Sequence, residues 1–395
     1  MNFVNYFQNE FIDKSEGFFS LAGLVKRKGL LDFGLADAFL RPSQTLIDNV
    51  AVNCTNVELQ GYVYSNPYYE EKCLNATVRR LDMQFQKKAL KSLRVLPVAG
   101  AKSGLSLVAH ALISPGDIVL VTTPGYPFFM HLAKRLGANV LDLQLTEVND
   151  YLPDLESLDK NIAKRAKLLL INYPNNPTGR VPSQNEIDTI VDFCARNNII
   201  LINDAAYIDF CGDNEDVGYL FNNISAYKNC IEIYSLSKSL QIPNWRLGYV
   251  LGNVKTIDSL RKIELVLSNG QPKILQDSVL TDLEDGKYID SIAAIINRRI
   301  KILKSILMSS NFKCPAHTGA FFVYVAVPKG IYNGPSFYDA SECASYFRNV
   351  LNILVIPWTI EGRHYLRFSV AFIDDEKFVF TELEKRLNTI KFLFI

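Results

Sequence analysis

The chain has 395 residues, 48% of them apolar and 21% charged, with a formal net charge of +1. That is the composition of an ordinary globular protein of one large or two moderate domains. Its interspersed charges give no electrostatic basis for binding nucleic acid or an anionic membrane.

No apolar run approaches the roughly 20 residues of a membrane span. The opening Met1-Asn2-Phe3-Val4-Asn5-Tyr6 lacks the basic-then-apolar order of a secretory signal. The first 45 residues carry no β-α-β pattern of their own. From about residue 92 to 252, short apolar runs alternate with helically spaced ones. Strands are predicted at Arg94–Val98, Asp117–Val121, Lys167–Asn172, Asn198–Asn203, Cys230–Tyr234 and Leu247–Gly252. Leu105, Val108, Ala109 and Leu112, and then Ile187, Ile190, Val191 and Cys194, recur at helical spacing between them. Apolar strands separated by helices predict an α/β fold, a mostly parallel sheet sandwiched by helices. After about residue 284 the pattern changes to a long helix (Tyr288–Ser309), a strand (Ala320–Val327), a helix (Ala340–Leu351), a strand (Tyr365–Val370) and a closing helix. This predicts a smaller α+β domain of residues 1–45 and 285–395 beside a large domain of residues 46–284. Seven scattered cysteines (Cys54, Cys73, Cys194, Cys211, Cys230, Cys314, Cys343) form no Cys-x-x-Cys pair. They suggest reduced thiols in the cytoplasm, and no metal site is expected.

Five motifs follow predicted strands at their carboxyl ends, where open α/β sheets place ligands. Val98-Ala99-Gly100-Ala101-Lys102 opens a helix; its small residues let backbone N–H groups approach an anion. Pro124-Gly125-Tyr126-Pro127 offers a tyrosine that can lie on a planar ring. Asn172-Tyr173-Pro174-Asn175-Asn176-Pro177-Thr178-Gly179 is a rigid loop expected to display its asparagine side chains. Asp204-Ala205-Ala206-Tyr207 sets a carboxylate at the end of a buried strand, where a cationic partner is needed. Ser235-Leu236-Ser237-Lys238, with Arg246 eight residues on, joins hydroxyls and a guanidinium suited to phosphate to a lysine. Burial would free that amine to attack a carbonyl. Taken singly, these are turns, a packing tyrosine, a helix cap and a surface lysine. Together they suggest pyridoxal 5'-phosphate, which needs a lysine for its aldehyde and a clamp for its phosphate.

The ordered set Asn-x-Pro-x-Asn-Pro-Thr-Gly, Asp-x-Ala-Tyr, Ser-x-Ser-Lys and Arg eight later resembles the class I/II aminotransferases, the fold-type-I pyridoxal-phosphate enzymes. The resemblance runs from Gly34 to Arg367. It implies that Lys238 holds the cofactor as a Schiff base and moves the proton at the substrate α-carbon. Asp204 would pair with the ring nitrogen, and Tyr207 and Asn176 would contact the ring oxygen. Gly100, Ala101, Lys102, Ser235, Ser237 and Arg246 would surround the phosphate, and Tyr126 would stack on the ring. Arg367 would grip the substrate carboxylate, helped by Asn176, with Leu35 and Ala36 lining the substrate. Family members are homodimers that lend a tyrosine across the interface; Tyr64 is the candidate, with Tyr62 close behind. Departures fall at Ala36, in Tyr64–Arg79, at Pro357-Trp358 and in the short stretch from there to Arg367. All lie in substrate-facing loops. The implied activity is transfer of an amino group between an L-amino acid and a 2-oxo acid, leaning to the aspartate and LL-diaminopimelate branch. A lyase, decarboxylase or cyclase reaction from the same site is the alternative. Arg41, Arg261 and Arg363 are possible partners for a distal carboxylate.

Overall fold

The computed structural model describes residues 29–394 apart from Val63, Glu215, Asn269 and Thr318. The opening segment of the expected small domain, residues 1–28, lies outside the described residues.

A short strand β1 (Leu31–Asp32) precedes the central sheet, which comprises β2 (Leu93–Val98), β3 (Ile118–Thr123), β4 (Asn139–Gln144), β5 (Ala166–Ile171), β6 (Ile200–Asp204), β7 (Cys230–Ser235) and β8 (Gly248–Asn253). Their order is β2-β8-β7-β6-β5-β3-β4. Every neighbouring pair is parallel except those made by β8, which runs against both β2 and β7. The fold is therefore the expected α/β sandwich. Alternate side chains explain why these strands read as continuous apolar runs. Leu120, Leu169 and Leu201 enter a core on one face, while Val119, Val121, Leu168, Leu170, Ile202, Ile231 and Ile233 enter a core on the other.

Six of the seven strands match the expected runs to within two residues. The seventh, β4, was not foreseen: it pairs only with β3, and its Asn139 and Asp142 are exposed. An edge strand needs no long apolar run. The helix Gln184–Asn197 buries Ile187, Ile190, Val191 and Cys194, the four residues at helical spacing. Ser183 and Glu186 close its amino end as a capping box, and left-handed Asn198 ends it.

A further core is built on β9 (Phe322–Ala326), with a minor strand β10 (Gly330–Ile331), then β11 (Ile353–Leu354), β12 (Ile356–Ile360), β13 (Arg363–Ser369) and β14 (Phe392–Leu393). Strands β12, β13 and β9 form an antiparallel sheet. The helix Lys287–Ser309 lays Ile292, Ile296, Ile300, Leu303 and Leu307 on this core, all fully buried. Strand β1 pairs with β11 in parallel, and Phe33 packs edge-on against Phe368 and Phe372. This anchors the chain just before Gly34–Asp37. Tyr207 and Phe210, which follow β6, also reach this core.

Candidate active site

Strands β2, β3, β5, β6 and β7 run the same way, so the five motifs that follow them emerge on one sheet edge. Strand β8 runs oppositely and presents its amino end there, where Arg246 stands two residues before Gly248. A cavity of about 430 Å³ opens along this edge, and Arg367 reaches it from β13.

One group of residues forms an anion cradle. Gly100, with φ +81°, caps the helix Ala101–Leu112 without a side-chain hydrogen bond. A Cβ at Gly100 would lie 2.5 Å from Arg246 Nη2, and one at Gly248 would lie 3.0 Å from Gly100 Cα. Bare backbone is what lets the three meet. The Arg246 guanidinium donates to Pro243 O (2.8 Å) and Ala99 O (3.2 Å). Ser237 N–H donates to Ser235 Oγ at 3.2 Å. Ala101, Lys102, Ser235, Ser237 and Arg246 all line the cavity. A helix amino end with cations and hydroxyls beside it suits a dianion.

A second group surrounds Asp204. Its carboxyl, 6% exposed, accepts from Ala206 N–H at 3.2 Å, and burial pushes it up to about 6. Tyr207 stands edge-on to Phe321 and Phe322, at 5.4 and 5.3 Å, and burial raises its phenol. Burial likewise raises Tyr126, with Asp204 adding and Arg246 opposing, so these three share one electrostatic neighbourhood. The loop 172–179 needs a correction. Asn175 displays nothing to the cavity: it is fully buried, bonding Thr178 N and Oγ1 through its oxygen and Pro124 O and Asn172 O through its nitrogen. Only Asn172 and Asn176 line the cavity, and Asn172 ties the loop to β6 through Asp204 O at 2.7 Å.

Lys238 lies in the short helix Leu236–Ser239, and its ammonium donates to Ala36 O. Burial pushes it down to about 8; Arg367 and Arg246 add to this, and Asp37 opposes. Arg367, 3% exposed, donates from Nη1 to Asn176 Oδ1 (2.9 Å) and from Nη2 to Gly34 O (2.6 Å), over the Phe322 ring at 4.4 Å. Its Nε is buried without a partner, and burial pushes the guanidinium down to about 10. Leu35, Ala36 and Asp37 line the cavity beside it.

Every site residue expected from the sequence lines this cavity or touches a residue that does, except Tyr64. Tyr64 is 62% exposed and lines a separate groove with Leu265 and Gln271, while Tyr62 is exposed as well. None of the suggested distal arginines lines the cavity. Arg261 is held bidentately by Glu70 (3.0 and 2.7 Å), and Arg363 lines a different hollow with Tyr151 and Tyr365. Sequence reading missed the support behind Lys238: Ser239 Oγ donates to Asp209 Oδ2 at 2.5 Å, and Asp209 Oδ1 accepts from Arg80. The available signal was a carboxylate set between apolar Ile208 and Phe210, five residues after Asp204. Among the described residues, no group of three or more His, Cys, Asp or Glu is placed to hold a metal ion. No described helix is long and apolar enough to cross a membrane.

The model of the family "Aminotransferase class I and II" matches residues 11–378. The LL-diaminopimelate aminotransferase of Methanocaldococcus jannaschii is 34% identical over 71% of this chain and 66% of its own length. The LL-diaminopimelate aminotransferase of Halothermothrix orenii is 30% identical over 92% of this chain and 90% of its own length. Among solved structures, substrate-bound BacF from Bacillus subtilis superposes with a TM-score of 0.83 at 24% identity, covering 98% of this chain and 96% of that one. The N-succinyldiaminopimelate aminotransferase of Mycobacterium tuberculosis gives a TM-score of 0.81 at 19% identity, over 94% of this chain and 96% of that one. With a family match across most of its length, and relatives at this identity, the chain belongs to the class I and II aminotransferases and is a transaminase.

Proposed function

We propose that the cavity binds pyridoxal 5'-phosphate and moves an amino group between an L-amino acid and a 2-oxo acid. The observation that carries this reading is the meeting of Lys238, Asp204 and Arg367 around one cavity, Asp204 and Arg367 buried, Lys238 half-buried, and none of them ion-paired among the described residues. The residues fit the cofactor. The cradle at Gly100 and Arg246 suits the phosphate, and the buried Asp204 carboxyl suits a protonated ring nitrogen. The orphaned Arg367 Nε has a hydrogen bond left to offer a carboxylate.

When bound, pyridoxal 5'-phosphate supplies an electron sink for the pair left on the substrate α-carbon. The remaining work falls to the chain. Arg367 binds the α-carboxylate in a bidentate fork while Asn176 Oδ1 fixes the guanidinium plane. Lys238, with its amine lowered to about 8, can give up and retake a proton at the α-carbon near neutral pH. Asp204 would hold negative charge against the ring, and Tyr207 lines the same cavity, where its hydroxyl would serve as a donor. Asp37, an anion beside Ala36, favours a donor with a distal ammonium over one with a distal carboxylate. Diaminopimelate, named for the relatives, carries such an ammonium at its distal end together with a second carboxylate.

The same reading includes a cytoplasmic homodimer, with residues 46–284 as the large domain and 1–45 with 285–395 as the small one. Support for pairing comes from exposed Tyr62, Tyr64, Leu265, Val266 and Leu267, apolar side chains that a second copy would cover.

The test is the visible spectrum of purified protein and of Lys238→Ala. Wild type is expected to absorb near ~420 nm, to shift to ~330 nm with an amino acid, and to return with a 2-oxo acid. Lys238→Ala is expected to bind cofactor and lose transamination. Near wild-type turnover in that variant would overturn the assignment, and product formation needing no 2-oxo acid would overturn transamination.

A further inference from the structure

One buried carboxamide lies outside all of these roles. Gln271, 4% exposed, donates from Nε2 to two backbone carbonyls, Arg246 O at 2.8 Å and Val98 O. Those carbonyls belong to the two chains that build the anion cradle. Val98 is the last residue of β2, paired with Gly248 in the final rung of the β2–β8 ladder, and its carbonyl also accepts from Gly100 N–H at 2.7 Å. Arg246 stands beyond that rung on the other chain, in a left-handed conformation (φ +57°, ψ +49°). For a residue with a Cβ, that conformation is sparsely populated and persists only where surroundings hold it. Past the end of the ladder, Leu236 N–H still donates to Leu247 O at 3.1 Å, but among the described residues Arg246 itself makes no backbone–backbone hydrogen bond.

We infer that Gln271 is a positioning residue for the phosphate clamp, a side-chain rung that fixes Arg246 against the Gly100 turn. The inference rests on the reading that this cradle takes the cofactor's phosphate. Both Nε2 hydrogens are used in the crosslink. The Oε1 atom accepts from Gln276 Nε2 at 3.4 Å, and Gln276 Oε1 accepts from Asn66 Nδ2 at 2.9 Å. Gln276 is 2% exposed and Asn66 4%, so this chain of amides is shielded from water, and its contact with Gln271 is long beside the 2.8 Å bond to Arg246 O. Gln271 does not line the cavity, so it acts through the two chains it joins, at Arg246 O and Val98 O.

The experiment measures binding of pyridoxal 5'-phosphate, pyridoxal and inorganic phosphate to the full-length chain stripped of cofactor. Wild type, Gln271→Met, Gln276→Met and Arg246→Ala are compared, with folding checked by far-UV circular dichroism. Methionine keeps the length of glutamine and removes the donor. Gln271→Met is expected to weaken pyridoxal 5'-phosphate and inorganic phosphate about 10-fold or more while pyridoxal changes less than about 2-fold, the signature of a lost anion contact. Gln276→Met, which leaves both carbonyl contacts in place, is expected to stay within about 3-fold of wild type for all three. Equal losses of pyridoxal and its phosphate in Gln271→Met, or no loss at all, would overturn the inference and leave Gln271 as packing. If Arg246→Ala binds inorganic phosphate as wild type does, the cradle reading itself falls, whatever Gln271→Met does.

Discussion

Replacing Asp204 with Asn is expected to stabilise the cofactor-free protein at neutral pH while disabling the enzyme. The carboxyl is 6% exposed, accepts a hydrogen bond from Ala206 N–H, and is raised from 3.8 to about 6 because burial penalises its charge. A carboxyl raised on folding contributes stability that is fully present below its unfolded value and lost as pH climbs through the folded one. Two units at about 1.4 kcal/mol each make the ionised group cost about 3 kcal/mol at pH 8. Asparagine keeps the acceptor for Ala206 and carries no charge. Cofactor-free Asp204→Asn is therefore expected to exceed wild type by about 3 kcal/mol at pH 8, by about half that at pH 5, and by almost nothing below pH 4. Urea unfolding followed by far-UV circular dichroism at these pH values reads the gap. Equal stability at pH 8, or a gap that widens on acidification, would refute the reasoning. With cofactor and substrates the order should invert. Turnover is expected to fall ~10²-fold or more, the scale of losing one preorganised charge at a reacting centre.

Arg367→Lys should raise KM for the amino donor ~10- to 100-fold with a smaller fall in kcat, since an ammonium cannot reproduce the guanidinium fork; an unchanged KM in steady-state assays would show that the carboxylate binds elsewhere. Gly100→Ala puts a Cβ 2.5 Å from Arg246 Nη2 at φ +81°, ψ +164°. That backbone region is nearly reserved for glycine, so a cost of about 1–3 kcal/mol and weaker cofactor retention in equilibrium dialysis are expected, and undiminished retention would count against the cradle. Asp209→Asn strips the anion from Arg80 and weakens the acceptor of Ser239. Because some exposure remains, we expect a loss of about 2–3 kcal/mol in urea unfolding, with much of it recovered in the double variant with Arg80→Gln; strict additivity would mean the pair is not coupled.

What could be read from the sequence divides along physical lines. Strands buried on both faces announce themselves as apolar runs, so β2, β3, β5, β6, β7 and β8 were legible, whereas β4, half solvated at the edge, was not. The chemistry-bearing side chains were legible because turn residues mark strand ends and strand ends of a parallel sheet share an edge. Two kinds of information were not local. Asn175 looked available, yet its hydrogen bonds close the loop internally, a matter of side-chain direction that composition does not carry. Gln271 and Asp209 act on residues 25 and 30 positions away, at Arg246 and Ser239, and their effect exists only once the chain has folded. Tyr64 lies outside the cavity of its own chain, so a role for it requires a second copy.

The cavity gathers three ionisable side chains whose hydrogen-bond partners are neutral. Outside it, Arg80 is ion-paired with Asp209, Arg261 with Glu70, Arg180 with Glu186 and Arg299 with Glu376, while buried Glu232 and Asp282 rest on neutral Asn203, Tyr234 and Ser43. In the cavity the partners are neutral. Lys238 donates to the Ala36 carbonyl, Arg367 to Asn176 Oδ1 and the Gly34 carbonyl, and Asp204 accepts from an amide. Neutral partners satisfy hydrogen bonds without cancelling charge, so burial drives all three toward neutrality: Lys238 to about 8, Arg367 to about 10, Asp204 to about 6. Had Arg367 been paired with Asp204, both would sit near their ordinary values and neither would be left for a ligand. Chain geometry keeps them apart, with Asp204 at the end of β6 and Arg367 on β13 of a different sheet. On the proposed reading each group has its own complement: the substrate carboxylate for Arg367, a protonated ring nitrogen for Asp204 and the cofactor carbonyl for the Lys238 amine. Cofactor and substrate together would then meet what neither meets alone, because each unmet charge remains buried and uncompensated.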